Sequence, residues 1–125
     1  MFNASLHYST DYCRTLEESL RVLGPRGTLV ILDSPMYSDP TSGQRMVQER
    51  EARFLQTYGF ASNALDCEHF LTSARLAQLS AALDLQWELY APSLDLLTAA
   101  RRKLNGLRAR REPASFPVIV GTRPR

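Results

Sequence analysis

Between residues 10 and 23 the apolar positions Tyr12, Leu16, Leu20 and Leu23 recur at three- and four-residue steps, with Glu17, Glu18 and Arg21 on the other side. That spacing gathers one apolar stripe and predicts an amphipathic helix. Gly24-Pro25 ends it, the glycine suited to a left-handed terminal position and the proline unable to continue a helix. Arg26-Gly27 then turns the chain into Thr28-Leu29-Val30-Ile31-Leu32-Asp33, which is apolar at consecutive rather than alternating positions. Such a run predicts a strand covered on both faces, the habit of a parallel sheet between helix layers. It stops at Asp33-Ser34-Pro35.

Residues 40–43 read as a loop and 44–58 as a second helix, with Met46, Val47, Phe54, Leu55 and Tyr58 as its buried stripe and Gly59 as its stop. Thr72 or Ser73 caps a third helix carrying Leu76, Leu79 and Leu83. Leu85, Trp87 and Leu89 alternate with Gln86, Glu88 and Tyr90, the pattern of a strand with one face on the core. Residues 93–108 read as a fourth helix with Leu94, Leu97, Leu104 and Leu107 inward, and 116–121 as a last buried strand. The order helix, strand, two helices, strand, helix, strand predicts an α/β fold. No repeat or linker divides the 125 residues, so a single domain over 1–125 is expected.

The chain starts with Phe2-Asn3-Ala4-Ser5-Leu6, which has no helix signature and reads as the tail of a parallel strand. Residues 3–8 then form the loop beyond its carboxyl end, and residues 33–37 the loop beyond the neighbouring strand. Ligands of open α/β sheets bind in the crevice outside those ends. Two polar loops, one with Asn3, His7 and Tyr8 and one with Asp33 and Tyr37, are therefore expected to line one cleft.

Composition narrows the class. With 44% hydrophobic and 22% charged residues the chain is neither disordered, collagen-like nor coiled-coil. A net charge of +2 gives no ground for a nucleic-acid partner, although Lys103 is the only lysine and nearly all basic charge is arginine. The well-separated Cys13 and Cys67 read as reduced packing cysteines, and residues 1–14 carry no secretory signal, so a cytoplasmic protein is expected. No apolar run approaches the ~20 residues of a membrane helix, and no membrane partner is expected.

The run Leu20-Arg21-Val22-Leu23-Gly24-Pro25-Arg26-Gly27-Thr28-Leu29-Val30-Ile31-Leu32-Asp33 resembles the segment of class I S-adenosylmethionine-dependent methyltransferases that precedes and forms their fifth strand. Residues 3–8 are similar to that family's loop after the fourth strand, and residues 87–90 and 116–121 would be its sixth and seventh strands. The resemblance implies a partial Rossmann-like methyltransferase sheet of the later strands, the last antiparallel, flanked by helices. It implies S-adenosylmethionine as cofactor and a small-molecule methyl acceptor. The family's glycine-rich donor motif has no counterpart, since no G-x-G occurs in the sequence. The chain is thus expected to be the substrate-side half of such a fold and not to bind the donor by itself. A homodimer, or pairing with a complementary N-terminal half, is the expected partnership, because an open sheet edge invites pairing.

Each candidate residue has a plainer reading beside the chemical one. His7 is a candidate general base or a loop histidine satisfied by backbone. Asn3, a candidate donor contact, can equally form a turn, and Tyr8, a candidate substrate contact, can equally plug the core. Asp33 suits a substrate amine or hydroxyl, or caps the following turn. Tyr37 is a candidate wall of the acceptor pocket. Arg110 and Arg111, after the Arg101-Arg102-Lys103 run and Arg108, suit an anionic substrate through their fork geometry, or form a solvated face with Glu112 as a partner. In enzymes of the resembled family an insertion between the last two strands faces the substrate. Asp66, Cys67, Glu68 and His69 are adjacent residues that cannot all reach one ion, and no metal site is expected.

The expected activity is methyl transfer to a small acceptor, by proximity and orientation with His7 as base. The alternative is a non-catalytic methyltransferase-like interaction module or subunit that pairs with a donor-binding chain. A third reading, a small anion-binding domain using its arginine face, requires salt-sensitive polyanion binding.

Overall fold

The computed structural model describes residues 1–62, 66–91, 96–109 and 111–124. It is an α/β fold with a mixed sheet flanked by helices. Strand β1 (Phe2–Asn3) leads through a 3-10 turn (Leu6–Tyr8) into helix α1 (Tyr12–Val22), which returns the chain to β2 (Thr28–Leu32). The connection is right for a parallel pair, and Phe2 indeed lies beside Ile31 and Asn3 beside Leu32 in parallel register. Strand β5 (Gln86–Tyr90) and strand β6 (Val118–Thr122) complete the sheet in the order β1-β2-β6-β5, with β6 antiparallel to both its neighbours. Three strands therefore run one way and the last runs against them.

A second, smaller sheet had no signature in the sequence. Strands β3 (Met36–Tyr37) and β4 (Leu71–Thr72) pair in parallel, Met36 beside Leu71 and Tyr37 beside Thr72. Two-residue strands are too short to show any periodicity. Helix α2 (Pro40–Tyr58) and helix α3 (Ser73–Leu83) follow these strands, and helix α4 (Leu96–Ala109) joins β5 to β6.

The core lies on one face of the main sheet. Leu29 and Ile31 of β2 and Ile119 of β6 point into it, meeting Tyr12, Leu16 and Leu20 of α1 and Leu76 and Leu79 of α3. The helix spacing of α1 and α3 is thus realised as expected. Asp11 caps α1 by accepting from the Arg14 amide at 3.1 Å, and Thr72 caps α3 by accepting from Arg75 at the same distance. Gly121 is small of necessity: a Cβ there would come within 2.5 Å of the Trp87 ring across the sheet.

Several expectations need correction. The strand at 28–33 is not covered on both faces: Leu29 and Ile31 are buried, but Val30 and Leu32 are only half-buried and Thr28 is exposed. No helix seals the second face among the described residues. Helix α1 does not end on a left-handed glycine, because its C-cap is Leu23 in extended conformation. Pro25 disfavours a helical residue before it, and the turn closes instead through the Gly27 amide donating to the Gly24 carbonyl at 2.8 Å. Residues 40–43 are not a loop but the first turn of α2, with Pro40 at its start and Asp39 as N-cap. Gly59 ends that helix in the left-handed region at φ 78°, as expected.

The far end of α2 also departs from its pattern, since Leu55 and Tyr58 are exposed rather than buried. So does α4. Leu97, Leu104 and Leu107, expected inward, are 79%, 60% and 76% exposed, while Ser93 and Leu94 lie outside the described residues. Periodicity identified an apolar face on this helix, but no described element packs over it. Leu89 of β5 and Phe116 and Val118 around β6 are likewise exposed, leaving Leu85 and Ile119 to carry the buried positions there. Cys13 and Cys67 are free thiols, and no described helix is long and apolar enough to cross a membrane.

Candidate functional site

The parallel register of β1 and β2 brings their two following loops together. The Ala4 amide donates to the Leu32 carbonyl at 3.0 Å, so the chain leaves both strands side by side. Leu6 is fully buried beneath the 3-10 turn, which anchors His7 in the interior. There the His7 Nδ1 lies 3.3 Å from the Ser34 hydroxyl, joining one loop to the other. The segment 68–71 runs along both. The His69 amide donates to the His7 carbonyl at 2.9 Å and the Leu71 amide to the Pro35 carbonyl at 2.8 Å. Ser115 closes the far side of Met36 through a reciprocal pair of backbone bonds at 2.9 Å.

These contacts frame a cleft of about 440 Å³, within the range of small-molecule sites. His7, Pro35 and Tyr37 come from the strand-end loops, Met46 and Arg50 from one face of α2, and Asn105 and Gly106 from α4. Arg111, Pro113, Ala114 and Phe116 complete it from the segment leading to β6. Gly106 fits closely here, since a Cβ would meet Pro113 and the Arg111 carbonyl at about 3 Å and those neighbours would have to give by a few tenths of an ångström.

Of the expected site residues, His7, Tyr37 and Arg111 share this cleft. Asn3 and Asp33 sit exposed at the adjoining strand ends, outside its lining. Asp33 does not cap the next turn; it takes a left-handed backbone at φ 51° as the chain leaves β2. Tyr8 is 59% exposed and reaches the site only through its ring, 4.3 Å from that of His7. Arg110 lies outside the described residues. Arg101, Lys103 and Arg108 are exposed on α4. Among the described residues Glu112 pairs with no arginine side chain: its carboxylate accepts from the Ser38 amide and hydroxyl and from the Asp39 amide, tying this segment to the start of α2.

Arg50 and His69 were not expected here. Arg50 donates to His69 Nδ1 at 3.1 Å and lies near Glu51 at 3.9 Å. Its legible signal was the four-residue step from Met46, which places both on one side of α2. Arg111 pairs with Glu49, the residue before Arg50, at 2.9 Å. Glu68 is committed elsewhere, accepting from Arg75 and from the Tyr12 amide at 2.7 Å.

The electrostatics follow from this arrangement. Burial first, then the Arg50 guanidinium and His69, hold His7 below the ordinary imidazole value. It is therefore neutral near neutral pH. With the proton on Nδ1, that nitrogen donates to Ser34 and Nε2 keeps a lone pair. Nε2 has no hydrogen-bond partner among the described residues, and the His7 side chain lines the cleft. Burial raises the Tyr37 phenol while Arg111 draws it back in part, so Tyr37 stays a hydrogen-bond donor. The cleft thus combines a neutral imidazole, a phenol and two guanidinium groups with walls of Pro35, Met46 and Phe116.

Known proteins offer no shortcut to its identity: no family model, no curated protein and no solved structure matches the chain.

Proposed function

We propose that this chain is the acceptor side of a methyltransferase, binding a small molecule in the cleft beyond the carboxyl ends of β1 and β2. The observation that carries the reading is the placement of His7, a neutral imidazole lining the cleft, at the junction of those two strands. The strand order supports it, with β6 antiparallel between β2 and β5, because the resembled family implies an antiparallel last strand. In this role His7 takes a proton from an acceptor hydroxyl or amine, and Tyr37 and the apolar walls orient the body of the molecule.

These residues do not by themselves fit S-adenosylmethionine. The sequence has no glycine-rich turn, and Asn3, the candidate donor contact, stands outside the cleft. Donor binding belongs to elements beyond these residues. The half-covered face of β2 and β6, with Val30 paired to Val120, and the outer edge of β1 offer surfaces for them.

Titration calorimetry tests this division. The 125-residue chain is expected to give no heat with S-adenosylmethionine, and an assembly joining it to a donor-binding half is expected to bind one equivalent. Tight stoichiometric binding to the chain alone overturns the division. Association of the two halves without methyl transfer favours the non-catalytic module.

A further inference from the structure

We propose that the cleft selects acceptors carrying a carboxylate or phosphate on a flat apolar body, with Arg50 and Arg111 as the residues that recognise the anion. The proposal rests on the cleft being the acceptor site, and it names the acceptor's chemical class.

The two guanidinium groups approach the cleft from different elements, Arg50 from α2 and Arg111 from the segment before β6. They are held near each other, since Arg111 binds Glu49, which directly precedes Arg50 in the helix. Each is oriented by a partner that leaves donors over. Arg111 spends its Nε on Glu49 at 2.9 Å and one Nη on the Glu112 carbonyl at 3.5 Å, leaving its other Nη. Arg50 spends one terminal nitrogen on His69 Nδ1, a neutral acceptor, and its nearest carboxylate is Glu51 at 3.9 Å. A guanidinium has five N–H donors in a fixed fork, so both retain donors for the paired oxygens of an anion.

The charge balance points the same way. Arg50 and Arg111 are opposed by Glu49 and Glu51, but Glu51 is also engaged by the Ser62 hydroxyl and Glu49 is 44% exposed at the rim. Neither carboxylate lines the cleft, whereas both arginines do. The interior therefore presents positive charge and two imidazole or phenol groups, His7 and Tyr37, to whatever enters. Pro35, Met46 and Phe116, which line the same cleft, supply apolar surface suited to a planar ring. A volume of about 440 Å³ suits one small molecule.

The experiment is a titration of the chain with benzoate, phenyl phosphate and the neutral isostere benzamide, followed by amide chemical shifts in solution. Benzoate or phenyl phosphate is expected to move the amides of Gly106 and Arg111 and to bind at least about tenfold tighter than benzamide. Whichever of the two anions binds tighter identifies the head group. R50Q and R111Q are each expected to weaken that binding about tenfold, and R50K to recover part of it. Should R111Q lose stability with its Glu49 pair, R50Q alone decides the matter. Equal binding of benzamide, no binding of either anion, or shifts away from the cleft overturns the proposal. Because no donor is involved, such a failure leaves the methyl-transfer reading standing and removes only its anionic acceptor.

Discussion

His7 and Ser34 meet across 3.3 Å where the loops following two parallel strands converge, and both side chains are buried. The bond ties the orientation of a candidate base to the end of the neighbouring strand. S34A removes the one side-chain partner of His7 Nδ1. A stability loss of about 1 kcal/mol is expected in denaturant unfolding, typical of a neutral hydrogen bond. Long-range imidazole nitrogen spectra are expected to report a shift away from the Nδ1–H tautomer. An unchanged tautomer balance in S34A contradicts this role for the serine.

Acid should destabilise the fold before the carboxylates titrate. His7 and His69 are both held below the ordinary value of 6.5, by burial first and by Arg50 next. The unfolded chain then takes up protons near pH 6.5 that the folded chain refuses. Stability is full above that pH and falls as the pH drops toward the folded values, by up to about 1.4 kcal/mol per pH unit for each proton. His69 sits in the left-handed region at φ 66°, which asparagine tolerates, so H69N removes one titrating group with little backbone strain. Unfolding midpoints from pH 7 to pH 5 are expected to fall less steeply in H69N. An equal slope in both proteins rules out His69 as a source.

Gly43 packs the first turn of α2 against Phe70, whose ring a Cβ would meet at 2.4 Å. The same ring stands edge-on to Tyr37 at 5.7 Å. G43A should therefore cost about 1–3 kcal/mol as an overpacking substitution and displace Tyr37 from the cleft. Thermal unfolding checks the first effect, and the Tyr37 ring resonances check the second. A neutral G43A would mean that Phe70 moves aside freely.

Glu68 joins two helices, receiving the Tyr12 amide at the start of α1 and Arg75 of α3, each at 2.7 Å. E68Q keeps the size and loses the charge. With both partners part-buried, a cost of about 1–3 kcal/mol is expected from chemical unfolding. A loss well below 0.5 kcal/mol would place this group among ordinary surface pairs, which contribute about 0–1 kcal/mol.

Much of the scaffold was legible because its signals are local. Tyr12, Leu16 and Leu20 bury as their spacing requires, Thr72 caps its helix, and the run 28–32 is a strand whose end adjoins a cleft. What escaped depends on partners distant in sequence. The apolar step of Leu97, Leu104 and Leu107 marks a face without saying what covers it. Strands β3 and β4 exist only because residues 36–37 and 71–72 meet in space. Within the site, His7 and Tyr37 were readable from loop position, and Arg111 from the arginine run on and after the fourth helix. Arg50 was not, since one arginine of the three on α2 looks like solvated surface until Met46 and Arg111 fix which side faces inward.

The most direct measurement follows labelled methyl groups from S-adenosylmethionine onto small phenolic acids, in an assembly joining these residues to a donor-binding half. Transfer is expected with the natural sequence, and H7Q is expected to slow it about 100-fold or more, the scale of a lost general base. Transfer unaffected by H7Q, or none while the donor is demonstrably bound, contradicts the account.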